Sequence, residues 1–245
     1  MKVILRAEQL NKSFEGKKVL NDISIRLQEG ELVCLLGVSG VGKTTLFNIL
    51  SGLLLPDTGR VLLKDEDVTG KTGQMSYMQQ KDLLLPHKTV LDNVALPMVL
   101  AGVKKKEARE RAAVHFDRFG LTGTEAKYPA QLSGGMRQRA ALLRTYLCDK
   151  PVALLDEPFS ALDTITRGNL RDWYLSVMEE IRLSTLFITH DIDEAILLSD
   201  RIYVLNGSPA VIAAEIEVKE KKPRSGAFSL TEAYLAYKKM IVELL

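Results

Sequence analysis

The sequence predicts an α/β fold: a mostly parallel sheet covered by helices, antiparallel strands flanking it, and a helical lobe inserted between core strands. Leu32–Leu36, Met75–Met78, Val152–Leu155 and Thr185–Ile188 are short runs of continuous rather than alternating hydrophobicity. Runs of that length and pattern are strands buried on both faces, and a parallel sheet with both faces covered supplies that environment. Val3–Phe14 and Gly59–Lys64 alternate more, and Arg201–Ile216 contains Asn206-Gly207, a strong hairpin signal, so these segments form the antiparallel flank. From about Pro86 to Leu147 there is little strand character, which makes that stretch the inserted lobe.

Within the lobe, Lys104–Phe119 is rich in Lys, Glu, Arg and Ala and meets Gly120, so a helix with a stop is expected there. Glu217–Gly226 is charged and contains Pro223, the pattern of a flexible linker. Ser229-Leu230-Thr231-Glu232 then has capping-box form, and Leu230, Tyr234, Tyr237, Ile241 and Leu244 mark one face of a terminal helix. Residues 1–216 therefore read as the main domain and 217–245 as linker and C-terminal helix.

Composition narrows the class. The 245 residues are 46% hydrophobic and 26% charged, ordinary globular usage, with a net charge of +2. So small an imbalance gives no phosphate-backbone footprint, and no nucleic-acid partner is expected. The two cysteines, Cys34 and Cys148, show no C-x-x-C spacing and read as buried thiols in a reducing compartment. The opening residues Met1–Arg6 break their apolar run at Arg6, unlike a signal peptide, so the chain is expected to stay inside the cell. No run approaches the roughly 18 apolar residues of a spanning helix.

The chemistry begins at Gly37-Val38-Ser39-Gly40-Val41-Gly42-Lys43-Thr44, which fits G-x-x-x-x-G-K-[ST] between a buried strand and an apolar helix starting near Thr45. Glycines let the backbone curl so that successive N–H groups face phosphate oxygens, and the helix N-terminus adds a favourable dipole. Lys43 is then placed to neutralise β- and γ-phosphates and Thr44 to offer its hydroxyl to Mg²⁺. Val152–Leu155 delivers Asp156 and Glu157 to a strand end, where parallel sheets present ligands. Asp156 suits Mg²⁺ and Glu157 suits orienting an attacking water, although a pair of acids also solvates a strand terminus or caps a helix. Ser133-Gly134-Gly135 opens an apolar helix, so Ser133 is a natural N-cap with an anion site in the adjoining amides, capping alone being the plainer reading.

The order of these elements resembles an ATP-binding-cassette (ABC) ATPase, the nucleotide-binding subunit of a transporter, from Phe14 to about Leu205. Gln80 falls in a segment similar to the Q-loop, Leu132–Arg139 resembles the signature motif, Ser160–Asp163 the D-loop, and Thr189-His190-Asp191 the switch histidine. The resemblance implies a P-loop NTPase core and a set of site residues. Glu157, His190 and Lys43 would be catalytic. Phe14 would stack on adenine, and Gly37, Val38, Ser39, Gly40, Val41, Gly42, Lys43, Thr44 and Thr45 would hold phosphates. Gln80 would sense γ-phosphate and join Thr44 and Asp156 at Mg²⁺. Ser133, Gly134 and Gly135 would meet the ATP held by a second subunit, and Asp163 the opposing phosphate loop. ATP and Mg²⁺ are the implied cofactors, and a homodimer or paired cassette the implied assembly.

Two classes of such ATPase remain, a transporter subunit and a soluble ATPase acting on nucleic acid or ribosomes. The interval from Gln80 to Ser133 is too short for the coiled-coil insertion of chromosome-type members, and there is one motif set rather than the two of ribosome-associated members. Leu84–Val94, Leu132–Arg139 and Thr189–Ala195 look like the nitrate, sulfonate and taurine importer class, some of whose relatives carry thiamine precursors. The resemblance thus implies transmembrane permease subunits, a solute-binding protein, and a place at the cytoplasmic face of the membrane. Apolar residues in Leu83–Val99 exceed what a short loop needs, and either dock a permease or pack within the lobe.

Overall fold

The computed structural model describes residues 2–159, 173–175, 177, 181, 183–224 and 227–245. The D-loop expectation, Asp163 included, lies outside the described residues. A six-stranded sheet forms the centre, in the order β10 (Val211–Glu217), β9 (Arg201–Asn206), β3 (Leu32–Leu36), β8 (Ser184–Thr189), β7 (Val152–Asp156) and β6 (Ser76–Met78). All neighbours pair in parallel except β9 and β10, joined through Asn206-Gly207 as an antiparallel hairpin. A four-stranded antiparallel sheet, in the order β2 (Lys17–Gln28), β1 (Val3–Phe14), β4 (Thr58–Leu63) and β5 (Glu66–Asp67), lies to one side.

Side chains alternate across a strand, and that period divides the interior into two. Val33, Leu35, Val152, Leu154, Leu186 and Ile188 face one layer, packed against α1 (Lys43–Leu50) and the antiparallel sheet. Cys34, Leu36, Ala153, Leu155 and Phe187 face the other, covered by the helical lobe and the C-terminal helices. Every residue of β3, β7 and β8 is buried, which is why their sequences are apolar throughout. Phe47 of α1 is fully buried, with its ring edge-on to Tyr77 at 6.0 Å between centroids. Phe47→Ala should cost about 3–5 kcal/mol, read as a lower urea midpoint at unchanged slope.

The lobe contains α2 (Val90–Val94), α3 (Leu96–Leu100), α4 (Lys105–Ala113) and α5 (Gly134–Tyr146). Here α4 is shorter than the sequence suggested. After Ala113 the chain tightens through His115 N–H to Ala112 O and Phe116 N–H to Ala113 O, turning so that Phe116, Phe119 and Leu121 are all buried. Cys34 is fully buried, and burial pushes its thiol well above the ordinary range, whereas Cys148 is only half-buried.

Two C-terminal readings also change. Residues 218–224 are packed rather than free: Val218 and Arg224 are buried, and Lys222 pairs with Asp200 at 2.7 Å. The last helix, α7 (Glu232–Leu244), is capped by Thr231, whose hydroxyl accepts from Tyr234 N–H, and not by Ser229, which lies in a 3₁₀ turn. That shift leaves Leu230 exposed, while Tyr234 and Ile241 are buried against α6 (Ile192–Leu198) and β9. No helix among the described residues is long and apolar enough to cross a membrane.

Candidate functional site

Strand order decides which motifs meet. Because β3, β8, β7 and β6 are parallel neighbours, with Leu36 opposite Thr189 and Asp156 opposite Ile188, their C-terminal ends lie along one edge of the sheet. The phosphate loop, His190, the Asp156-Glu157 pair and Gln80 follow those four ends in turn. A cleft of about 230 Å³ opens there, lined by Ser39, Gly40, Gly42, Lys43, Thr44, Thr45, Gln80, Asp156 and Glu157.

Glycine is needed in the loop for two different reasons. Gly42 has φ +116°, which L side chains rarely adopt, and a Cβ on it would sit 3.0 Å from a methyl of Leu20. At Gly37 a Cβ would be 2.7 Å from the Leu205 carbonyl oxygen, a backbone clash. Helix α1 starts directly after Gly42 with no side-chain cap, so its positive end points toward the cleft. Lys43 is buried and donates to the carbonyls of Gly37 at 2.7 Å and Val38 at 2.9 Å. Burial lowers its pKa, and the charges of Glu157 and Asp156 oppose that shift.

Asp156 Oδ2 accepts from Thr44 Oγ1 at 3.2 Å and from the Tyr77 hydroxyl at 3.5 Å. Burial raises the Asp156 pKa against the opposing effect of the Thr44 bond, and burial likewise raises that of Tyr77. The hydroxyl and carboxylate oxygens from two elements thus converge beside the Gln80 amide. This all-oxygen set fits Mg²⁺, which uses one or two carboxylates and takes its remaining ligands from phosphate and water. Among the described residues no group of three or more His, Cys, Asp or Glu side chains could hold a metal without such help.

Glu157 joins three loops. Its Oε1 lies 3.1 Å from His190 Nδ1, its Oε2 accepts from Gln80 Nε2 at 3.0 Å, and its N–H donates to the Ile188 carbonyl at 3.0 Å. The residue has φ +46°, a left-handed conformation that costs a non-glycine residue about 1–2 kcal/mol. That backbone turn, which nothing in Asp156-Glu157-Pro158 announces, carries the side chain away from the strand direction.

Other residues hold the Gln80 loop and were not anticipated. Asn93, fully buried, donates to the carbonyls of Leu85, Lys88 and Thr89 and accepts from Leu85 N–H. Arg144 donates to the Asp82 and Leu83 carbonyls, and Arg137 pairs with Asp82 at 3.2 Å. Arg137 and Arg144 are two helical turns apart on α5, a spacing that places them on one face and was the available signal. Asn93→Ala would orphan these loop groups at a cost of about 3 kcal/mol, measurable by denaturant unfolding.

Gly37, Val38, Val41 and His190 adjoin the cleft in sequence or by contact without lining it. Ser133, Gly134 and Gly135, expected at the ATP of a second subunit, do not line it either, and Ser133 caps α5 by accepting from Met136 N–H at 3.3 Å. Phe14 also lies outside the cleft lining, at the β1–β2 turn, 45% exposed, with the Lys12 ammonium 5.5 Å from its ring centre.

Comparison with known proteins supplies the family. Residues 20–160, more than half of the chain, match the ABC transporter family. This chain belongs to that family. Among its ABC relatives, the formylaminopyrimidine import ATP-binding protein ThiZ of Halalkalibacterium halodurans is 42% identical over 89% of this chain and 86% of its own length. The nitrate import ATP-binding protein NrtD of Synechocystis is 35% identical over 92% and 88%. A solved ATP-binding cassette, a dimer in a post-hydrolysis state bound to ADP and Pi, is 27% identical with TM-score 0.76 over 89% of this chain and all of that one. The two sheets and inserted helices described above are therefore those of an ABC ATPase cassette.

Proposed function

We propose that this chain is the ATP-hydrolysing subunit of an ABC importer, working as a pair of cassettes closed around two ATP molecules. The observation that carries the reading is the meeting of Lys43, Thr44, Gln80, Asp156, Glu157 and His190 at one edge of the parallel sheet. Lys43 and the amides from Gly37 to Thr45 bind the phosphates, and Thr44, Asp156 and Gln80 would hold Mg²⁺. When bound, Mg²⁺ offsets the negative charge that develops on the transferred phosphoryl group. Glu157 orients water and withdraws its proton, while His190 holds the γ-phosphate geometry. Phe14 offers an exposed π-face to adenine.

The dimer follows from what one chain lacks. Ser133, Gly134 and Gly135 stand at the N-terminus of α5, where amides can bind an anion, and do not line their own cleft, which supports their serving the ATP of a second copy. Asp163 serves the opposing phosphate loop in the same reading. Closure favours ATP over its products, and that differential affinity drives the attached permease between its two states.

Import is supported by relatives whose names describe import. The permease partner is supported by α3, an apolar helix none of whose residues is fully buried, and by exposed Leu83 and Leu100. With a permease supplying the spanning segments, the chain sits at the cytoplasmic face, in a complex that includes a solute-binding protein. Residues 1–216 form the ATPase domain and 217–245 an appended tail.

The test is capture of tagged Glu157→Gln chain with Mg·ATP from gently solubilised membranes of its own cells, with co-purifying proteins identified by mass. A multi-span membrane protein in stoichiometric amount is expected. Recovery of nucleic acid or ribosomal proteins without one would reassign the chain to the soluble ATPases.

A further inference from the structure

Residues 218–224 and 227–245, outside the residues 20–160 that match the family model, grip α6 at both ends. At its C-terminal end the buried Arg224 guanidinium donates to the carbonyls of Ile196 at 2.9 Å and Ser199 at 2.6 Å. A seven-residue helix leaves its last carbonyls without internal partners, so these bonds satisfy acceptors that water would otherwise reach or that would stay orphaned. The same guanidinium bonds Val218 and Glu220, locking the tail to itself. At the N-terminal end, Tyr234 Oη at 2.5 Å and Lys238 Nζ at 2.6 Å both donate to Asp193 Oδ1. Ile241 anchors α7 in the core, and Asn206 Nδ2 holds the Leu244 carbonyl at 2.8 Å.

What α6 carries is the switch histidine. Thr189 ends β8, His190 follows, and Asp191 caps α6 by accepting from Asp193 and Glu194 N–H groups. Thr189 Oγ1 donates to Glu194 Oε2 at 2.6 Å and accepts from Asp191 N–H at 3.0 Å, so the backbone on either side of His190 is fixed to the first turn of α6. The His190 side chain itself is 53% exposed and reaches Glu157 from open space. Its aim is set by the backbone that bears it rather than by packing around the ring.

We propose that Arg224, Tyr234 and Lys238 are positioning residues for His190, and that the tail sets the rate of ATP hydrolysis while leaving ATP binding untouched. The inference rests on the hydrolytic role given to His190 above. The phosphate loop and α1 belong to the opposite layer of the sheet, and no tail residue lines the nucleotide cleft. The Lys238–Asp193 pair is about half exposed and contributes little alone, so Arg224 has the larger effect.

The experiment uses the full-length chain, with single-turnover hydrolysis of Mg·ATP and separate measurement of ATP affinity. Arg224→Gln, and independently the milder double variant Tyr234→Phe/Lys238→Gln, should slow hydrolysis by roughly ten- to a hundredfold, the order expected when a reacting group is misplaced by about 1 Å. ATP affinity should be unchanged. Added to His190→Ala, neither variant should slow turnover further, because groups acting through one residue are not additive. If Arg224→Gln does not fold, the double variant decides. Unchanged turnover in the folded variants, or losses that multiply with that of His190→Ala, would overturn the inference alone. A His190→Ala chain as fast as the parent would instead overturn the functional reading beneath it.

Discussion

Lys43→Ala is expected to abolish measurable ATP turnover. The ammonium is buried at the floor of the cleft, bonded to the Gly37 and Val38 carbonyls and within the field of Asp156 and Glu157. Those two carboxylates and an incoming polyphosphate are all negative. Without Lys43 the site would bring like charges together beside the buried Asp156, where Coulomb repulsion is larger than in bulk water. Removing one preorganised donor from a developing oxyanion typically costs 10²–10³-fold, and here a full charge goes with it, so a loss of at least about 10³-fold is expected. The fold should survive, since the truncation leaves room for water to satisfy the two carbonyls released. A phosphate-release assay together with a thermal melt measures both parts. Turnover at the unmodified rate would mean that phosphates bind elsewhere.

Glu157→Gln should separate binding from chemistry. Glutamine has the same shape and can keep both contacts, accepting from Gln80 Nε2 through its carbonyl and donating to His190 Nδ1 through its amide. It cannot take a proton from water, so hydrolysis should fall by about 10²–10⁴-fold while ATP stays bound. Paired cassettes would then accumulate in the closed state, eluting as a dimer by gel filtration in Mg·ATP and as a monomer after chelation of Mg²⁺. Equal turnover in the variant would move the base to another residue.

The two variants probe parts of the site that differ in how well the sequence announces them. Gly37–Thr44 is legible because each requirement is local: positive φ at Gly42, a helix start at Lys43, and a buried strand before it all occur within a few residues. Asp156 and Glu157 are legible as a pair at a strand end, but not in their separation of roles. That separation comes from φ +46° at Glu157, which turns one carboxylate toward Gln80 and His190 while the other stays beside Thr44. The roles of Asn93 and Arg144 are not legible because their partners are backbone groups, which leave no trace in residue identity, and that of Arg137 is not because its partner Asp82 lies far off in sequence. The stretch 217–224 is illegible for the same reason: charged and proline-containing, it has the composition of a solvated linker, yet Arg224 buries its guanidinium against four carbonyls.

The parallel core, the inserted helical lobe, the hairpin at Asn206-Gly207 and the glycine-rich loop before α1 are legible in the sequence alone, since strand burial, turn chemistry and the backbone demands of a tight loop are written in periodicity and local residue type. It is the packing of the layers that sets β3, β8, β7 and β6 side by side, and so brings residues 43, 190, 157 and 80 to one edge of the sheet. The same packing leaves Ser133 out of the lining of the cleft at that edge and brings the tail back to the helix behind His190. Strand order and long-range backbone hydrogen bonds depend on how whole layers pack, and no short window of sequence contains that information.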